Sequence, residues 1–374
     1  MTSEGKLVKE QVAAVIVTRN RLPLLKRCLD YLLRQTRSLD AIYVVDVASD
    51  DGRTVPFLQS CSAPIKPLYL PTNAGGAGGF SAGIERASAD GFDWVWCMDD
   101  DGYPSEEALE KLLQFSDRNE AKWLNSLVAS IDNPGHLAFG LLVYNSKVPP
   151  GAGRIEKEEH EQGFKGTHCI LKTVQEAQEQ GLVVENSNPF NGTLIHKSLI
   201  DSIGVPNPNF FIWGDEHEYR RRAMRSGTKL LTITDSIFYH PASNSAMISE
   251  VAWKQFWKHY YYIRNYGATA YKDGQVEFSY KGARSLGGIY IQHLLVDIKS
   301  SIIDIARSFA KIFIVLRAIL AARLNDTKRY YPKNSNKNYA PPALTKQPPV
   351  NQISAKSEVG ANKVSPERDI LGSK

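Results

Sequence analysis

Short apolar runs alternate with helical patterns through the first hundred residues of the chain. Residues 12–17 (VAAVIV) and 41–47 (AIYVVDV) are rich in β-branched residues and have the continuous apolar character of buried strands. Between them, leucines recur at the spacing of an amphipathic helix. A further strand is predicted near residues 66–70, a helix over 80–89 and another strand over 94–98. This alternation predicts an α/β fold with a parallel sheet and helices on both faces.

The unusual polar residues and glycines of this region follow directly after predicted strands. They are Thr18–Asn20, Asp46, the loop Asn73–Gly79 and the three aspartates Asp99–Asp101. Because ligands of open α/β sheets bind at the carboxyl ends of the strands, these segments would meet at one edge of the sheet. The sequence therefore predicts a ligand site at that edge.

The three adjacent aspartates repel one another unless a counter-charge lies between them. A hard divalent cation such as Mn²⁺ or Mg²⁺ supplies that charge and prefers oxygen ligands. On an extended backbone the first and third side chains point the same way, so Asp99 and Asp101 would share the ion. The alternative is a solvated acidic turn before a helix, with Asp101 or Ser105 as its N-cap.

Three further segments carry candidate chemistry, and each keeps a structural alternative. The glycine loop has neither a GxGxxG pattern nor a following Lys-Ser/Thr, so its backbone either approaches a ligand closely or forms a tight turn. Asp215, Glu216 and Glu218 enter a predicted helix, where a carboxylate could act as a general base or stabilise the helix N-terminus. His240 precedes a proline after an extended segment, and it either ligates a metal or is structural.

A long helical pattern runs from Gly288 to Leu324, with apolar residues on one arc and polar residues on the other. Its charges recur too often for a transmembrane span. The helix is expected either to pack on the body or to lie in a membrane interface. The predicted domains are a catalytic domain over 1–282, this amphipathic helical region over 283–332, and a disordered basic tail over 333–374.

Composition and charge narrow the class of protein. The 43% apolar and 23% charged residues are typical of a globular protein, and the four cysteines have no metal-binding spacing and fit a reducing compartment. The N-terminus lacks the apolar segment of a signal peptide, which argues against secretion. Residues 284–374 carry fifteen Lys/Arg and six Asp/Glu, whereas the first 283 residues carry a net charge of about −4. Aromatic interleaving and recognition motifs are missing from this basic region, which argues against nucleic-acid binding.

Together these pieces resemble glycosyltransferase family 2, the inverting transferases with a GT-A fold. The matching segments are AAVIVTRNR (13–21), YVVDVASDDG (43–52), WCMDDDGYP (96–104), FFIWGDEHEYRRRA (210–223), YHP (239–241) and YYIRNY (261–266). The loop NAGGAGGFSAGI (73–84) looks like the galactofuranosyltransferase branch, whereas related rhamnosyltransferases usually have a less glycine-rich loop. The resemblance spans about residues 12–270.

The resemblance implies a Rossmann-like GT-A domain, with a mostly parallel sheet and flanking helices, that binds a UDP-sugar. The residues it implies around the nucleotide and the rest of the donor are Thr18, Arg19, Asp46, Asn73, Gly75, Gly76 and Asp100. The ligands it implies for Mn²⁺ or Mg²⁺ are Asp99, Asp101 and His240.

The same resemblance implies roles in catalysis and acceptor binding. Glu216 matches the catalytic base, although related sequences usually carry Asp there, and Asp215 is a close rival. Trp213 and Glu218 are expected on the acceptor side, where the indole could stack on a sugar face.

These expectations describe an inverting, metal-dependent transferase that moves galactofuranose from UDP-galactofuranose to a lipid-linked glycan acceptor in bacterial surface polysaccharide synthesis. A rhamnosyltransferase that uses dTDP-rhamnose and a non-catalytic nucleotide-sugar-binding scaffold stay open as alternatives. The expected location is the cytoplasm, with peripheral attachment to an anionic membrane surface through the C-terminal helix. A homo-oligomer is also left open.

Overall fold

The computed structural model describes residues 10–144, 153–155, 168–181, 183–242, 253–270, 275–296, 302–328 and 330. All of them belong to one compact unit, Met1–Tyr339. The predicted basic tail over 333–374 lies outside the described residues. The boundaries predicted at residues 282 and 332 stay a prediction.

The first four strands form a parallel sheet, and helices connect them. The strands are β1 (Val12–Thr18), β2 (Ala41–Asp46), β3 (Ile65–Tyr69) and β4 (Trp94–Asp99), in the spatial order β3-β2-β1-β4. The connecting helices are α1 (Leu22–Leu33), α2 (Thr54–Ser60) and α3 (Gly75–Ala89). The predicted α/β class is confirmed.

The sheet continues beyond β4 with mainly antiparallel pairs. The strands are β5 (Tyr103–Pro104), β6 (Trp123–Ser130), β7 (His136–Tyr144), β8 (Gly153–Ile155), β9 (His168–Thr173), β10 (Val183–Val184), β11 (Asn191–His196) and β12 (Leu231–His240). β11 lies antiparallel between β4 and β6, whereas β12 runs parallel to β6. The helices of this part are α4 (Ala108–Asn119), α5 (Val174–Glu179), α6 (Lys197–Ile203) and α7 (Asp215–Arg225). Parallel pairing is therefore concentrated in the first half, and the whole sheet is mixed.

Strand β1 is buried on both faces because its side chains alternate between two layers of helices. Val12, Ala14 and Ile16 join a core cluster with α1 and α4. Ala13, Val15 and Val17 face a second cluster that includes residues of α3 and α7. This explains why β1 is a continuous apolar run.

Helix α3 begins at Gly75, so most of the glycine segment that the sequence predicts as a loop is its first turn. The glycines let the helix approach β1 closely. A Cβ atom at Gly79 would lie 2.4 Å from Val17 Cγ1, and one at Gly83 would lie 2.4 Å from Val15 Cγ1. The spacing of these glycines therefore sets the packing distance between helix and sheet.

The C-terminal helices correct the prediction of one helix from Gly288 to Leu324. Helix α8 (Trp253–Asn265) is followed by the short strands β13 (Thr269–Ala270) and β14 (Val276–Glu277), and then by α9 (Tyr280–Val296) and α10 (Ile302–Arg323). Helices α9 and α10 pack against each other, since a Cβ atom at Gly287 would lie 2.6 Å from Ile319 Cδ1. The helical period continues across both segments in the sequence, which conceals the division. Across the described segments, no helix has the length and apolar character needed to cross a bilayer.

Candidate active site

Two carboxylates and an imidazole meet at the carboxyl ends of β4 and β12. One ligand atom each from Asp99, Asp101 and His240 lies within 4.8 Å of the other two. Strand β5 pairs with the end of β12, Tyr103 opposite Tyr239, and this pairing brings His240 beside the aspartates. The structure therefore brings together the three residues that the sequence analysis names as metal ligands.

The imidazole of His240 is oriented by the backbone. Its Nδ1 lies 2.8 Å from the carbonyl oxygen of Pro241, so Nδ1 carries the proton and donates to that carbonyl. Nε2 then faces Asp101 Oδ1 at 3.2 Å. That Oδ1 atom is buried and makes no hydrogen bond of good geometry. This is the arrangement expected of two ligands that share an ion, with the other imidazole nitrogen fixed by a hydrogen bond.

The central aspartate is held by protein groups instead. The hydroxyl of Thr18 donates to Asp100 Oδ2 at 2.7 Å, and Arg21 Nη1 lies 3.1 Å from Asp100 Oδ1. The same guanidinium nitrogen lies 2.9 Å from Asp101 Oδ2. Arg21 therefore links two of the three aspartates. Roles in donor binding stay a prediction for Thr18 and Asp100, whose side chains bond each other here.

The carboxylates of the site differ in pKa. Burial, helped by the charge of Asp101, raises the pKa of Asp99 to about 7. Burial also raises the pKa of Asp100 to about 6, against the opposing effect of Arg21. For Asp101 burial acts in the same direction, but contact with His240 and the charge of Arg21 outweigh it and lower the pKa. Burial thus makes the ionised forms of Asp99 and Asp100 unfavourable, and a bound cation would offset this unfavourable free energy.

The predicted base segment enters α7 next to the aspartates. Asp215 is buried, and burial followed by the charge and hydrogen bond of Glu216 raises its pKa well above the ordinary value. The charge of Asp99 adds to that shift, so the two carboxylates are near enough to interact electrostatically. Glu216 is partly exposed, and its Oε2 accepts a hydrogen bond from Gly214 N at 3.1 Å.

Glu218 does not fit the acceptor role expected from the sequence. Its side chain is buried and pairs with Arg222 at 2.9 Å. Arg222 in turn donates to the carbonyl oxygen of Ile203 at 2.6 Å. A carboxylate enclosed in this way fastens α7 to the end of α6 and has little surface for a substrate.

The loop before α7 is held by Asn265 of α8. Asn265 Nδ2 donates to the carbonyl oxygens of Phe210, Ile212 and Trp213, at 3.1, 3.2 and 2.6 Å. The loop needs such support, because Phe211 and Trp213 have positive φ angles of 68° and 58°, which non-glycine residues rarely adopt. Asn265 therefore fixes the backbone that leads directly into Asp215.

Arg264 supports the same loop from the neighbouring position. It is fully buried, and its Nη2 donates to the carbonyl oxygens of Asn209 and Phe210 at 2.9 and 3.1 Å. Its guanidinium also lies 4.9 and 4.6 Å from the ring centres of Tyr261 and Phe278. The Arg-Asn pair within YYIRNY thus supports the loop before α7, residues 209–214 and here called the base loop, a role that the sequence analysis missed.

Trp213, predicted to bind the acceptor, is partly exposed at this loop. Its indole makes edge contacts with His259 and Tyr262, at centroid distances of 5.3 and 6.0 Å. Lys258 Nζ lies 6.0 Å from the centre of the indole, and burial, followed by the charge of Arg21, lowers the pKa of this lysine. Lys258 and Arg21 are cations of the site that sequence reasoning missed. The sequence feature that could have predicted them is the run of three adjacent carboxylates, which requires positive charge nearby.

The predicted nucleotide side is formed by the loops after β1 and β2. Asp46 is buried and accepts a hydrogen bond from Ser49 N at 3.2 Å. Arg19 Nε donates to the carbonyl oxygen of Ala48 at 3.3 Å, which ties the two loops together. Both residues therefore shape the loop pair, and their contact with a nucleotide stays a prediction.

Other protein groups lie close against part of the glycine segment Asn73–Gly79. Asn73 Oδ1 accepts from Gly75 N at 3.0 Å, and Gly75 has a φ of 67°. A Cβ atom at Gly75 would lie 2.0 Å from the carbonyl oxygen of Phe211, so this glycine is required for contact with the base loop. At Gly76, by contrast, a Cβ atom would meet nothing within 4 Å. Gly76 has the open surface that a donor could approach, whereas Gly75 faces Phe211.

Comparison with known proteins places these features in a family. The model of the family described as "Glycosyl transferase family 2" matches residues 13–125. The chain is 34% identical over 242 residues to galactofuranosyltransferase GlfT1 of Mycobacterium tuberculosis, which is 63% of this chain and 71% of that protein. It is also 34% identical over 238 residues to GlfT1 of Mycolicibacterium smegmatis, covering 62% and 71% of the two chains.

Two solved structures are similar at low identity. The crystal structure of GalNAc-T7 with UDP, GalNAc and Mn²⁺ has 17% identity and a TM-score of 0.46, and the match covers 68% of this chain and 50% of that one. The crystal structure of S. aureus TarS 1-349 has 13% identity and a TM-score of 0.43, covering 85% and 88%.

Proposed function

The chain belongs to glycosyl transferase family 2 and is a glycosyltransferase, and we propose that its donor is UDP-galactofuranose. Two observations support this donor. The relatives named galactofuranosyltransferase are 34% identical and are matched over 71% of their length. The glycine-rich segment Asn73–Gly79 resembles that of the galactofuranosyltransferase branch, and its Gly75 packs against the carbonyl oxygen of Phe211 in the base loop.

The observation that carries the proposed mechanism is the convergence of Asp99, Asp101 and His240. Two carboxylates and one imidazole, with a buried carboxylate oxygen of Asp101 that faces only His240 Nε2, fit Mn²⁺ or Mg²⁺. Such an ion supplies charge neutralisation for the departing diphosphate. Arg21 contacts Asp101 at 2.9 Å and Lys258 interacts electrostatically with the same carboxylate, and the two positive side chains would attract the anionic donor.

We assign the general base to Glu216. In an inverting displacement the acceptor hydroxyl attacks the anomeric carbon opposite the leaving diphosphate, while a carboxylate accepts the hydroxyl proton. Burial, followed by the charge of Glu216, raises the pKa of Asp215 and favours its protonated form, which is suited to donate a hydrogen bond to Glu216 rather than to take a proton. Glu216 is partly exposed at the end of the loop that carries Trp213.

Paired variants test this assignment. Glu216→Gln should lower transfer by roughly 10²–10⁴-fold with nearly unchanged UDP affinity, because only proton acceptance is lost. Asp215→Asn, which can still donate a hydrogen bond, should retain much more activity. Equal losses in the two variants, or a larger loss in Asp215→Asn, would move the base to Asp215.

For the acceptor we propose a lipid-linked glycan of a bacterial surface polysaccharide, used at the cytoplasmic face of the membrane. The partly exposed indole of Trp213, next to Glu216, offers an apolar face of the kind that stacks on sugar rings. Trp213→Ala should raise the KM for the acceptor more than the KM for the donor. An unchanged acceptor KM would remove Trp213 from this role.

The donor is tested by supplying purified protein and Mn²⁺ with UDP-galactofuranose, UDP-galactopyranose or dTDP-rhamnose and measuring nucleotide release. The proposal predicts the highest rate with UDP-galactofuranose and none for Asp101→Ala. Faster turnover of dTDP-rhamnose would assign the chain to rhamnosyl transfer. Tight UDP-sugar binding without release or transfer would make it a binding scaffold.

A further inference from the structure

Helix α10 and the residue directly after it, Leu324, expose a row of large apolar side chains. Phe309, Phe313, Leu316, Leu320 and Leu324, here called the apolar stripe, are 59%, 62%, 52%, 52% and 67% exposed. At 100° per residue their directions fall within an arc of roughly 80°. Ordinary surface leucines occur singly, so a row of this length marks an interaction surface.

The rest of α10 already has its packing partner. Ile314, Val315, Ala318 and Ala322 are buried in the cluster that α10 shares with α8 and α9. The stripe is therefore a second apolar face, on a helix whose first face is already used to fold the protein. It is not needed for attachment of the helix to the body.

Positive side chains border the apolar stripe. Arg317 and Arg323 are exposed, and their directions lie roughly 20° beyond the two edges of the stripe. Lys281 and Arg284 are exposed on the adjacent helix α9. An apolar face between basic residues is the pattern of a helix that lies in the headgroup layer of an anionic bilayer.

The size of the stripe favours a lipid surface over a second copy of the chain. Five side chains at these exposures present roughly 500 Å² of apolar area, in the upper part of the range of the largest patches on monomers, which are often functional. A stable dimer buries about 800 Å² on each partner and centres that area on uncharged residues. Two copies of the stripe in contact would also bring the bordering arginines of both chains together.

We propose that the apolar stripe inserts into the interface of an anionic membrane, with Arg317 and Arg323 at the phosphate layer. Phe309, Phe313 and Leu320 are the deepest residues, because they lie nearest the middle of the arc. Helix α10 packs on α8, the helix whose Asn265 supports the base loop, so membrane docking holds the transferase site at the lipid surface. Docking of the apolar stripe deepens the proposed use of a lipid-linked acceptor, on which it rests, and does not depend on the identity of the donor.

The test uses the full chain and vesicle flotation. Wild-type protein should float with phosphatidylcholine vesicles that contain phosphatidylglycerol and should bind phosphatidylcholine alone at least tenfold more weakly. Phe313→Gln/Leu320→Gln should lose binding at least tenfold on the anionic vesicles, and Arg317→Gln/Arg323→Gln should remove the preference for them. Leu33→Gln is the matched control, since Leu33 is a 53% exposed leucine on α1, and it should bind like wild type.

Circular dichroism and UDP affinity should be unchanged in all variants, which separates loss of docking from loss of fold or of the donor site. Failure of wild-type protein to bind anionic vesicles would overturn the proposal, and so would equal binding by the stripe variant. A wild-type dimer in sedimentation that becomes monomeric in Phe313→Gln/Leu320→Gln would assign the stripe to a second copy instead.

Discussion

Asp99→Asn is expected to stabilise the metal-free protein while it removes activity. Burial, and then the charge of Asp101, raise the pKa of Asp99 from 3.8 to about 7. The folded state therefore keeps a proton that the unfolded state releases between these two values, and the free energy of unfolding falls as the pH rises through that window. The full difference corresponds to about 4 kcal/mol. Because the side chain retains some solvent contact, the full value is an upper bound, and we expect Asp99→Asn to raise the free energy of unfolding by about 1–2 kcal/mol near pH 8.

The assay is urea unfolding in EDTA at two pH values. Near pH 4 Asp99 is protonated in the folded state and about half ionised in the unfolded state, so the stability difference between wild type and Asp99→Asn should fall to about 0.5 kcal/mol or less, apart from small packing effects. Near pH 8 the variant should be more stable. With saturating UDP and Mn²⁺ at about 100 times its dissociation constant, Mn²⁺ binding stabilises wild type by about 2.7 kcal/mol that the variant lacks, so the order reverses.

Asp90→Asn is the matched control with the opposite sign. Burial favours the neutral form of Asp90, but hydrogen bonds from Tyr43 and Arg86 outweigh it and lower the pKa of this carboxyl. Its contribution to stability is present above the unfolded pKa and is lost as the pH falls, so Asp90→Asn should destabilise most at high pH. If Asp99→Asn also destabilised the protein near pH 8, the conclusion that ionised Asp99 lowers the stability of the metal-free protein would be refuted.

Three further predictions follow from the site. Asn265→Ala should lower kcat by roughly 10–100-fold with a folded circular dichroism spectrum, because the base loop loses its position; unchanged kcat would remove Asn265 from that role. Gly75→Ala should destabilise the protein by about 3 kcal/mol or more in urea unfolding, since the new Cβ would clash with Phe211. Gly76→Ala is the control, and it should keep wild-type stability and raise the donor KM. Equal stability of both variants would contradict this prediction. Mn²⁺ affinity should rise up to about tenfold per pH unit from pH 6 to 7, because Asp99 must lose its proton, and calorimetric titrations at the two pH values check this.

The first half of the fold and the position of the site could be predicted from the sequence. Strands β1, β2 and β4 are buried on both faces, so their sequences are continuous apolar runs. The polar residues that follow these strands mark the edge of the sheet at which ligands of α/β proteins bind. Asp99 and Asp101 come from one strand end, and the resemblance supplied His240 as the third member.

The remainder depends on contacts that leave no local pattern. Glu218 is as acidic as Glu216, and only the tertiary pairing with Arg222 shows that it is enclosed. The support of the base loop by Asn265 joins residues about fifty positions apart, and a polar residue near a helix end has no distinctive sequence signal. The division of the C-terminal helical region was missed because α9 and α10 share one apolar period.

In the mechanism proposed above, Asp99, Asp101 and His240 hold a divalent cation for a sugar diphosphate. The most direct measurement is a titration of Mn²⁺ into the protein with saturating UDP, with free Mn²⁺ followed by electron paramagnetic resonance. Wild type and the Asp90→Asn control should bind a single Mn²⁺, and Asp101→Ala and His240→Ala should bind it at least about tenfold more weakly. Undiminished Mn²⁺ binding by both ligand variants would contradict the account.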